Sequence, residues 1–291
     1  MTAQHPIVVG VDGSQSSLQA VSWAAQEAAL RSARLTLVTT MFVPGTYGVP
    51  IGVPVSLFEE EELATKQRLA QAEEVVAQAA AGHTLDVDTA FCTGVPSGEL
   101  IERSKSARMV VVGAHRHGFF ERAVLGSVSA AVVAHAHAPV TVVRGLPHTE
   151  VNAISGPVVV GVDGSKHSES AITMAFEEAA LRGVDMVAVH AWSDIDLYAP
   201  FPSDVDWSQV ESRERALLSE SVAGRAEEFP DVTVRPLVVM DQPVRNLREQ
   251  AEHAQLIVVG SRGRGGFTSM LLGSTSRALA HSVTCPLIVV R

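Results

Sequence analysis

The chain has few of the residues that build disulfide frameworks or membrane anchors. Only two of its 291 residues are cysteines, Cys92 and Cys285, and neither has a neighbouring thiol. We therefore expect no disulfide framework and no thiolate metal site, and a reducing cytoplasm is the expected compartment. No apolar run is long enough to cross a bilayer, and the N-terminus lacks the basic and apolar regions of a secretory signal.

Dense basic clusters and several catalytic motifs are also missing. The net charge of -10 argues against a nucleic-acid-binding surface. No Gly-x-Ser-x-Gly elbow, Walker-type Gly-Lys-Ser/Thr or dinucleotide Gly-x-Gly-x-x-Gly occurs between a strand and a helix. The pairs His115/His117 and His135/His137 are interpreted as surface residues, because a spacing of two does not place both imidazoles on one helix face.

The sequence of one domain occurs twice in this chain. Pro6-Ile-Val-Val-Gly-Val-Asp-Gly-Ser14 returns as Pro157-Val-Val-Val-Gly-Val-Asp-Gly-Ser165, and Leu125-Gly-Ser127 returns as Leu272-Gly-Ser274. A polar segment with a glycine at each end separates the copies. We predict a first domain at residues 1–144, a linker at 145–156 and a second domain at 157–291.

Strands and helices alternate within each copy. For the first copy we predict strands at 7–11, 35–41, 85–91, 109–113 and 140–143, with helices at 14–31, 58–81, 97–106 and from 127. Ser14 is the expected N-cap of the first helix, and the acidic run 59–62 is expected in the first turn of the second. Near-continuous Val/Ile/Leu strands alternating with helices predict an α/β fold with a parallel sheet covered on both faces.

A glycine-rich stretch, residues 260–274, has the composition of an anion site. It follows the apolar strand 256–259 and leads into a helix that begins near Ser274. Glycines allow backbone N–H groups to approach a phosphate, and a helix N-terminus attracts negative charge. The stretch carries Arg262 and Arg264 but no acidic residue, which favours an anionic ligand. For the glycines alone, an ordinary tight turn is an equally good explanation.

The crevice of such a sheet lies beyond the carboxyl ends of its strands, where the winding direction reverses. If the first and fourth strands are neighbours, Asp163 and the glycine-rich stretch flank one crevice. Because a carboxylate repels phosphate, we expect Asp163 at the other end of the ligand, accepting hydrogen bonds from a ribose or a base. This arrangement suits a nucleotide.

These residues resemble the universal stress protein family over essentially the whole chain. The family pattern of Gly, two residues, Gly, nine residues, Gly, then Ser or Thr is found at Gly260, Gly263, Gly273 and Ser274. The resemblance implies two tandem doubly wound domains, each with five parallel strands in the order 3-2-1-4-5. It also implies ATP as ligand, with Mg²⁺ as an optional companion, bound between the first and fourth strands.

The resemblance also supplies the candidate binding residues. It assigns the family aspartate to Asp12 and Asp163 and the adenine-contacting position to Thr40 and Ala191. The full candidate set is Gly10, Val11, Asp12, Thr40, Gly113, Arg116, Gly126, Ser127 and Val128 in the first copy, and Gly161, Val162, Asp163, Ala191, Gly260, Ser261, Arg262, Gly263, Gly273, Ser274 and Thr275 in the second.

The first copy departs from the family pattern, because Arg116 replaces the second glycine. Its Cβ either blocks the approach of phosphate or its guanidinium binds the phosphate itself. The second copy is therefore the better candidate for an occupied site.

The leading hypothesis is a cytoplasmic, ATP-binding regulatory protein of the stress response. Two alternatives stay open. One is a slow ATPase or nucleotidyl-transfer enzyme, although the glycine-rich stretch has no lysine for phosphoryl transfer. The other is an interaction module whose pockets are vestigial or bind a cyclic nucleotide. The apolar last strands, 140–143 and 287–290, would be sheet edges, and the resemblance implies that the two copies pair through them, with a homodimer and unknown protein partners as further expectations.

Overall fold

The chain forms two compact units, one ending at Ala153 and the other beginning at Ile154. The computed structural model describes residues 5–41, 55–80, 82–114, 125–144, 156–192, 207–264 and 271–291. Of the predicted linker, only Gly156 lies within the described residues. No helix in these ranges is long and apolar enough to span a membrane.

The first unit alternates strands and helices as the sequence predicts. Its elements are β1 (Ile7–Gly10), α1 (Gln15–Arg31), β2 (Leu35–Met41), α2 (Val55–Ala79), β3 (Val87–Thr93), α3 (Pro96–Arg103), β4 (Met109–Gly113), α4 (Ser127–His135) and β5 (Val140–Val143). The sheet order is β3-β2-β1-β4-β5 and every neighbouring pair is parallel. Helices cover both faces of the sheet, with α1 packed against α2 and α3 against α4.

The second unit repeats this arrangement. Its elements are β6 (Val158–Val162), α5 (Lys166–Arg182), β7 (Met186–Trp192), α6 (Trp207–Ala226), β8 (Val234–Met240), α7 (Pro243–Ala251), β9 (Leu256–Gly260), α8 (Ser274–Ser282) and β10 (Leu287–Val290). The parallel order is β8-β7-β6-β9-β10. The predicted fold class is therefore confirmed, including the neighbouring positions of the first and fourth strands in each unit.

The central strands of each sheet are apolar along their whole length, because helices cover both of their faces. Ile7, Met109 and Leu256 are completely buried. The repeated Glu-Ala-Ala-Leu-Arg motif adds a buried ion pair to each unit, in which Glu27 pairs with Arg31 and Glu178 with Arg182 one helical turn later. Burial strengthens such a pair but makes the loss of one partner costly.

One predicted detail of α2 is wrong. The acidic run 59–62 does not lie in the first turn, because the helix begins at Val55 and not near Phe58. The run therefore begins one turn into the helix, where Glu62 pairs with Lys66 and Glu61 with Arg68. Ion pairs along the helix replace the predicted interaction with the helix dipole.

Candidate functional site

The first unit has a cavity at the carboxyl ends of β1 and β4, the strands between which the chain changes its winding direction. Its volume is about 790 Å³, within the range of small-molecule sites. The cavity is lined by every described candidate residue of the first copy, namely Gly10, Val11, Asp12, Thr40, Gly113, Gly126, Ser127 and Val128. Arg116 lies outside the described residues. The topology thus brings together residues that are far apart in the sequence.

Two helices direct their N-termini towards this cavity. Ser14 caps α1 by accepting a hydrogen bond from the Ser17 N–H at 3.2 Å, as the sequence predicts. The first residues of α4 also line the cavity, and its N-cap, Gly126, has no side chain to occupy the first-turn amides. The positive ends of both helices favour a negatively charged ligand group.

The glycines that end β4 and β9 allow α1 and α5 to pack closely against these strand ends. A Cβ on Gly113 would lie 2.4 Å from the carbonyl oxygen of Ser16, and one on Gly260 would lie 2.9 Å from the backbone of His167. No side chain fits at such distances, so the start of α1 or α5 rests directly on the strand end. Ser129 and Ser276 then donate hydrogen bonds to the carbonyls of these two glycines, at 2.7 Å and 2.5 Å, which fixes α4 and α8 beside them.

The two candidate aspartates have the same local contact. Asp12 Oδ1 accepts a hydrogen bond from the Ser14 N–H, and Asp163 Oδ1 accepts one from the Ser165 N–H, both at 2.9 Å. Each carboxylate therefore stabilises the turn between its strand and the helix that follows.

Asp163 also contacts the glycine-rich stretch, which differs from its expected place at the other end of a ligand. Its Oδ2 accepts a hydrogen bond from the Arg264 N–H at 3.1 Å. A Cβ on Gly263 would lie only 2.4 Å from the same oxygen, so the absence of a side chain lets the loop reach the carboxylate. The physical reason is that backbone N–H groups bind a carboxylate as readily as a phosphate.

Several backbone groups of the second copy are already hydrogen-bonded to other backbone groups and are not available to a ligand. The Gly273 N–H is not available to a phosphate, because it donates to the Ser261 carbonyl at 2.7 Å. The Ser261 N–H donates to Val290 at 2.6 Å, and its side chain is completely buried. The amides available to a ligand therefore begin at α8, with Ser274 and Thr275. Residues 265–270 lie outside the described part of the chain.

The other candidates of the second copy lie around the same strand ends. Gly161 and Val162 end β6, and Ala191 is the next-to-last residue of the adjacent strand β7. Trp192 is buried and packs in the interior. Arg262 follows β9. The pKa of Arg291 is lowered, first by burial of its guanidinium and then by the nearby positive charge of Arg262. Two arginines near each other make this loop region attractive to an anion.

Sequence reasoning missed the cavity residues that come from α2 and α3. Glu61 and Arg68 of α2 line the cavity and form an ion pair with a 3.0 Å N–O distance. Leu100 of α3 supplies an apolar wall, where its side chain touches Gly10. Neither helix carries a local motif that signals this placement, which depends on tertiary packing.

A buried histidine beside the second site was also missed. His190 of β7 lies with its Nδ1 2.8 Å from the Val162 carbonyl and its Nε2 3.1 Å from Glu214 of α6. The side chain connects α6 to the end of β6, directly before Asp163. Among the described residues, no group of three or more His, Cys, Asp or Glu side chains could hold a metal ion.

Comparison with known proteins agrees with this architecture. A model of the universal stress protein family matches residues 4–144 and 155–291. The chain is 43% identical over 290 residues to a universal stress protein of Mycolicibacterium smegmatis, covering 99% of this chain and 97% of that protein. It is 40% identical over 289 residues to universal stress protein Rv2005c of Mycobacterium tuberculosis, with the same coverage of 99% and 97%.

A solved structure extends the similarity to the fold. A universal stress protein from Archaeoglobus fulgidus matches with a TM-score of 0.75 and 18% identity, covering 100% of this chain and 99% of that one. At this identity the match shows the fold alone. The fold and the crevice define the class, a tandem pair of doubly wound α/β domains. The family matches are more specific: the chain belongs to the universal stress protein family, with two domains of that family in one chain.

Proposed function

We propose that this chain binds an adenine nucleotide, with ATP as the ligand, and acts as a regulatory protein of the stress response. The observation that carries the proposal is the cavity of about 790 Å³ between β1 and β4. It combines the features that a nucleotide needs: helix N-termini for the phosphates, an apolar wall for the base, and a carboxylate for the sugar hydroxyls.

Within this proposal, each end of the cavity has its own task. The first-turn amides of α4, with the Ser127 hydroxyl, receive the phosphates. Asp12 and the end of β2, at Thr40, face the ribose and the base. The second unit uses Ser274, Thr275 and Asp163 in the same way. Since Asp163 now accepts the Arg264 N–H, a ligand there must displace that contact or form around it.

The proposal includes the setting in which the nucleotide acts. The protein works in the cytoplasm, and the bound nucleotide stabilises a conformation that protein partners recognise. A homodimer is a further expectation. Mg²⁺, where present, accompanies the phosphates of ATP.

The test is to denature the purified full-length protein and identify the released small molecules by mass spectrometry. We expect an adenine nucleotide, released in smaller amount by Gly126→Leu. A Cβ at Gly126 meets nothing within 4 Å and Gly126 lines the cavity, so we expect the leucine to enter the cavity without disturbing the fold. A stripped protein that binds no adenine nucleotide in calorimetry would contradict the proposal. Multiple-turnover release of ADP would instead favour an ATPase, and release of a cyclic nucleotide would favour an interaction module.

A further inference from the structure

An arginine lies over the turn between β1 and α1 in the first unit. Gly13 in this turn has a left-handed conformation with φ +81°. A Cβ built on it would lie 3.0 Å from Cγ, 3.4 Å from Cδ and 3.8 Å from Nε of Arg68. The stem of Arg68 therefore packs on the bare glycine, and its guanidinium is held beside the Asp12–Gly13 turn, on the wall of the cavity.

The second unit has an arginine at the same place, but this arginine comes from another element. Gly164 occupies the position of Gly13 in the repeated Val-Asp-Gly-Ser sequence and has φ +76°. A Cβ built on Gly164 would lie 2.9 Å from Nη2 and 3.6 Å from Cζ of Arg264. Arg68 belongs to α2, whereas Arg264 belongs to the loop after β9. Two unrelated parts of the chain thus place an arginine over equivalent glycines, through its stem in the first unit and through its guanidinium in the second.

The surroundings of these arginines indicate what they recognise. The turn leads directly into the N-terminus of α1 or α5, where the helix dipole already favours an anion. A guanidinium has five N–H donors in a planar fork that matches phosphate oxygens. Arg68 uses Nη1 for Glu61, and its side chain keeps 29% of its surface exposed. Arg264 therefore adds positive charge beside the N-terminus of α5, whereas the charge of Arg68 beside α1 is partly offset by Glu61.

We propose that Arg68 and Arg264 are equivalent phosphate-recognition residues, and that they make both sites prefer nucleoside di- and triphosphates to monophosphates. The inference rests on the proposed function, because it identifies the phosphates beyond the first as the part of the nucleotide that each arginine recognises. The first phosphate binds at the N-terminus of α4 or α8, and the remaining phosphates turn back towards the N-terminus of α1 or α5, where the arginine contacts them. In the first unit the ligand competes with Glu61 for the guanidinium.

The experiment measures the two sites separately in the full-length protein. Gly273→Leu blocks the second site and Gly126→Leu blocks the first. In the Gly273→Leu background, Arg68→Gln is compared with its parent for AMP, ADP and ATP by calorimetry. Arg264→Gln is compared in the same way in the Gly126→Leu background. We expect each substitution to weaken ATP binding by about tenfold or more, which is the effect of losing one charge-assisted hydrogen bond. AMP binding should change less than about twofold.

Three controls separate recognition from a structural role. Arg215→Gln removes an exposed arginine paired with Glu211 outside the cavity and should leave all affinities unchanged. Arg68→Lys should recover part of the preference for ATP, because the charge is kept while the planar fork is lost. Thermal unfolding checks that each variant is folded.

The outcomes decide between the two proposals. Equal weakening of AMP and ATP, or no change for either, would overturn the assignment of the arginines while leaving nucleotide binding in place. Absence of AMP and ATP binding in both parent proteins, and in the unsubstituted chain, would instead refute the proposed function.

Discussion

The Oδ2 atom of Asp163 accepts a hydrogen bond from the backbone N–H of Arg264, 3.1 Å away and 101 residues further along the chain. This contact closes the turn after β6 against the loop after β9. The carboxylate accepts a hydrogen bond from a loop N–H group of the kind that binds phosphate in other proteins. The second site thus carries an internal anion that a nucleotide must compete with or accommodate.

Removal of this carboxylate should loosen the loop. We expect Asp163→Ala to speed hydrogen exchange of the peptide that covers 261–264 in the ligand-free protein, because the Arg264 N–H loses its acceptor. Hydrogen-exchange mass spectrometry makes the measurement. Asp12→Ala, in the other unit, is the matched control and should leave that peptide unchanged. Equal exchange in Asp163→Ala and the parent would show that the contact does not hold the loop.

The C-caps of α1 and α5 offer a comparison within one chain. Both residues are left-handed, but Ser32 occupies the position in the first unit (φ 49°) and Gly183 in the second (φ 63°). A residue with a Cβ pays roughly 1 kcal/mol for this conformation. We expect Ser32→Gly to raise the free energy of unfolding by about 1 kcal/mol and Gly183→Ser to lower it similarly, in denaturant titrations. Changes of the opposite sign would contradict this explanation.

Gly113 and Gly126 both line the cavity, but they should respond differently to a methyl group. Gly113→Ala places a Cβ 2.4 Å from the Ser16 carbonyl oxygen, so α1 must shift; we expect a loss of about 1–3 kcal/mol in unfolding free energy. Gly126→Ala meets open space and has φ -60°, so only the weaker N-cap preference of alanine remains, and we expect a loss below about 1 kcal/mol. Calorimetric unfolding compares the two, and equal losses would refute the close packing inferred at Gly113.

The two cysteines should differ in reactivity. Burial raises the pKa of Cys285 to about 12, so almost no thiolate exists near pH 8. The pKa of Cys92 is also raised, first by burial and then by its hydrogen bond to Glu99, but this thiol is only half-buried. We expect iodoacetamide to label Cys92 slowly and Cys285 only after unfolding, as read by peptide mass spectrometry. Labelling of native Cys285 at the rate of Cys92 would contradict this burial.

The sequence predicts the fold well because its signals are local and repeated. The apolar strands and the Ser14 cap are visible as short patterns, and both copies of the repeat show these patterns in the same order. The start of α2 is predicted less well, because Ser56, a capping residue by type, lies inside the helix, which already begins at Val55. Strand β3 also lies two residues later than expected and ends before Gly94, whose φ is +138°.

The site is less predictable, because its details depend on contacts between distant residues. The spacing of Gly260 and Gly273 marks the loop, but it does not show that Gly260 leaves room for the backbone of α5. Similarly, Arg264 is visible as a positive residue, while its position over Gly164 follows only from the packed structure. Arg68 gives no sequence signal, since it stands in no motif and an arginine on a helix surface is common.

The central claim is that the crevice between the first and fourth strands of each unit binds an adenine nucleotide. The most direct test is the number of ATP molecules bound per chain, measured by calorimetry on the stripped protein and on Gly126→Leu. We expect the substitution to remove one bound ATP, while Gly224→Leu, at a glycine of α6 with open space around it, removes none. An unchanged number of bound ATP molecules in folded Gly126→Leu would contradict the account.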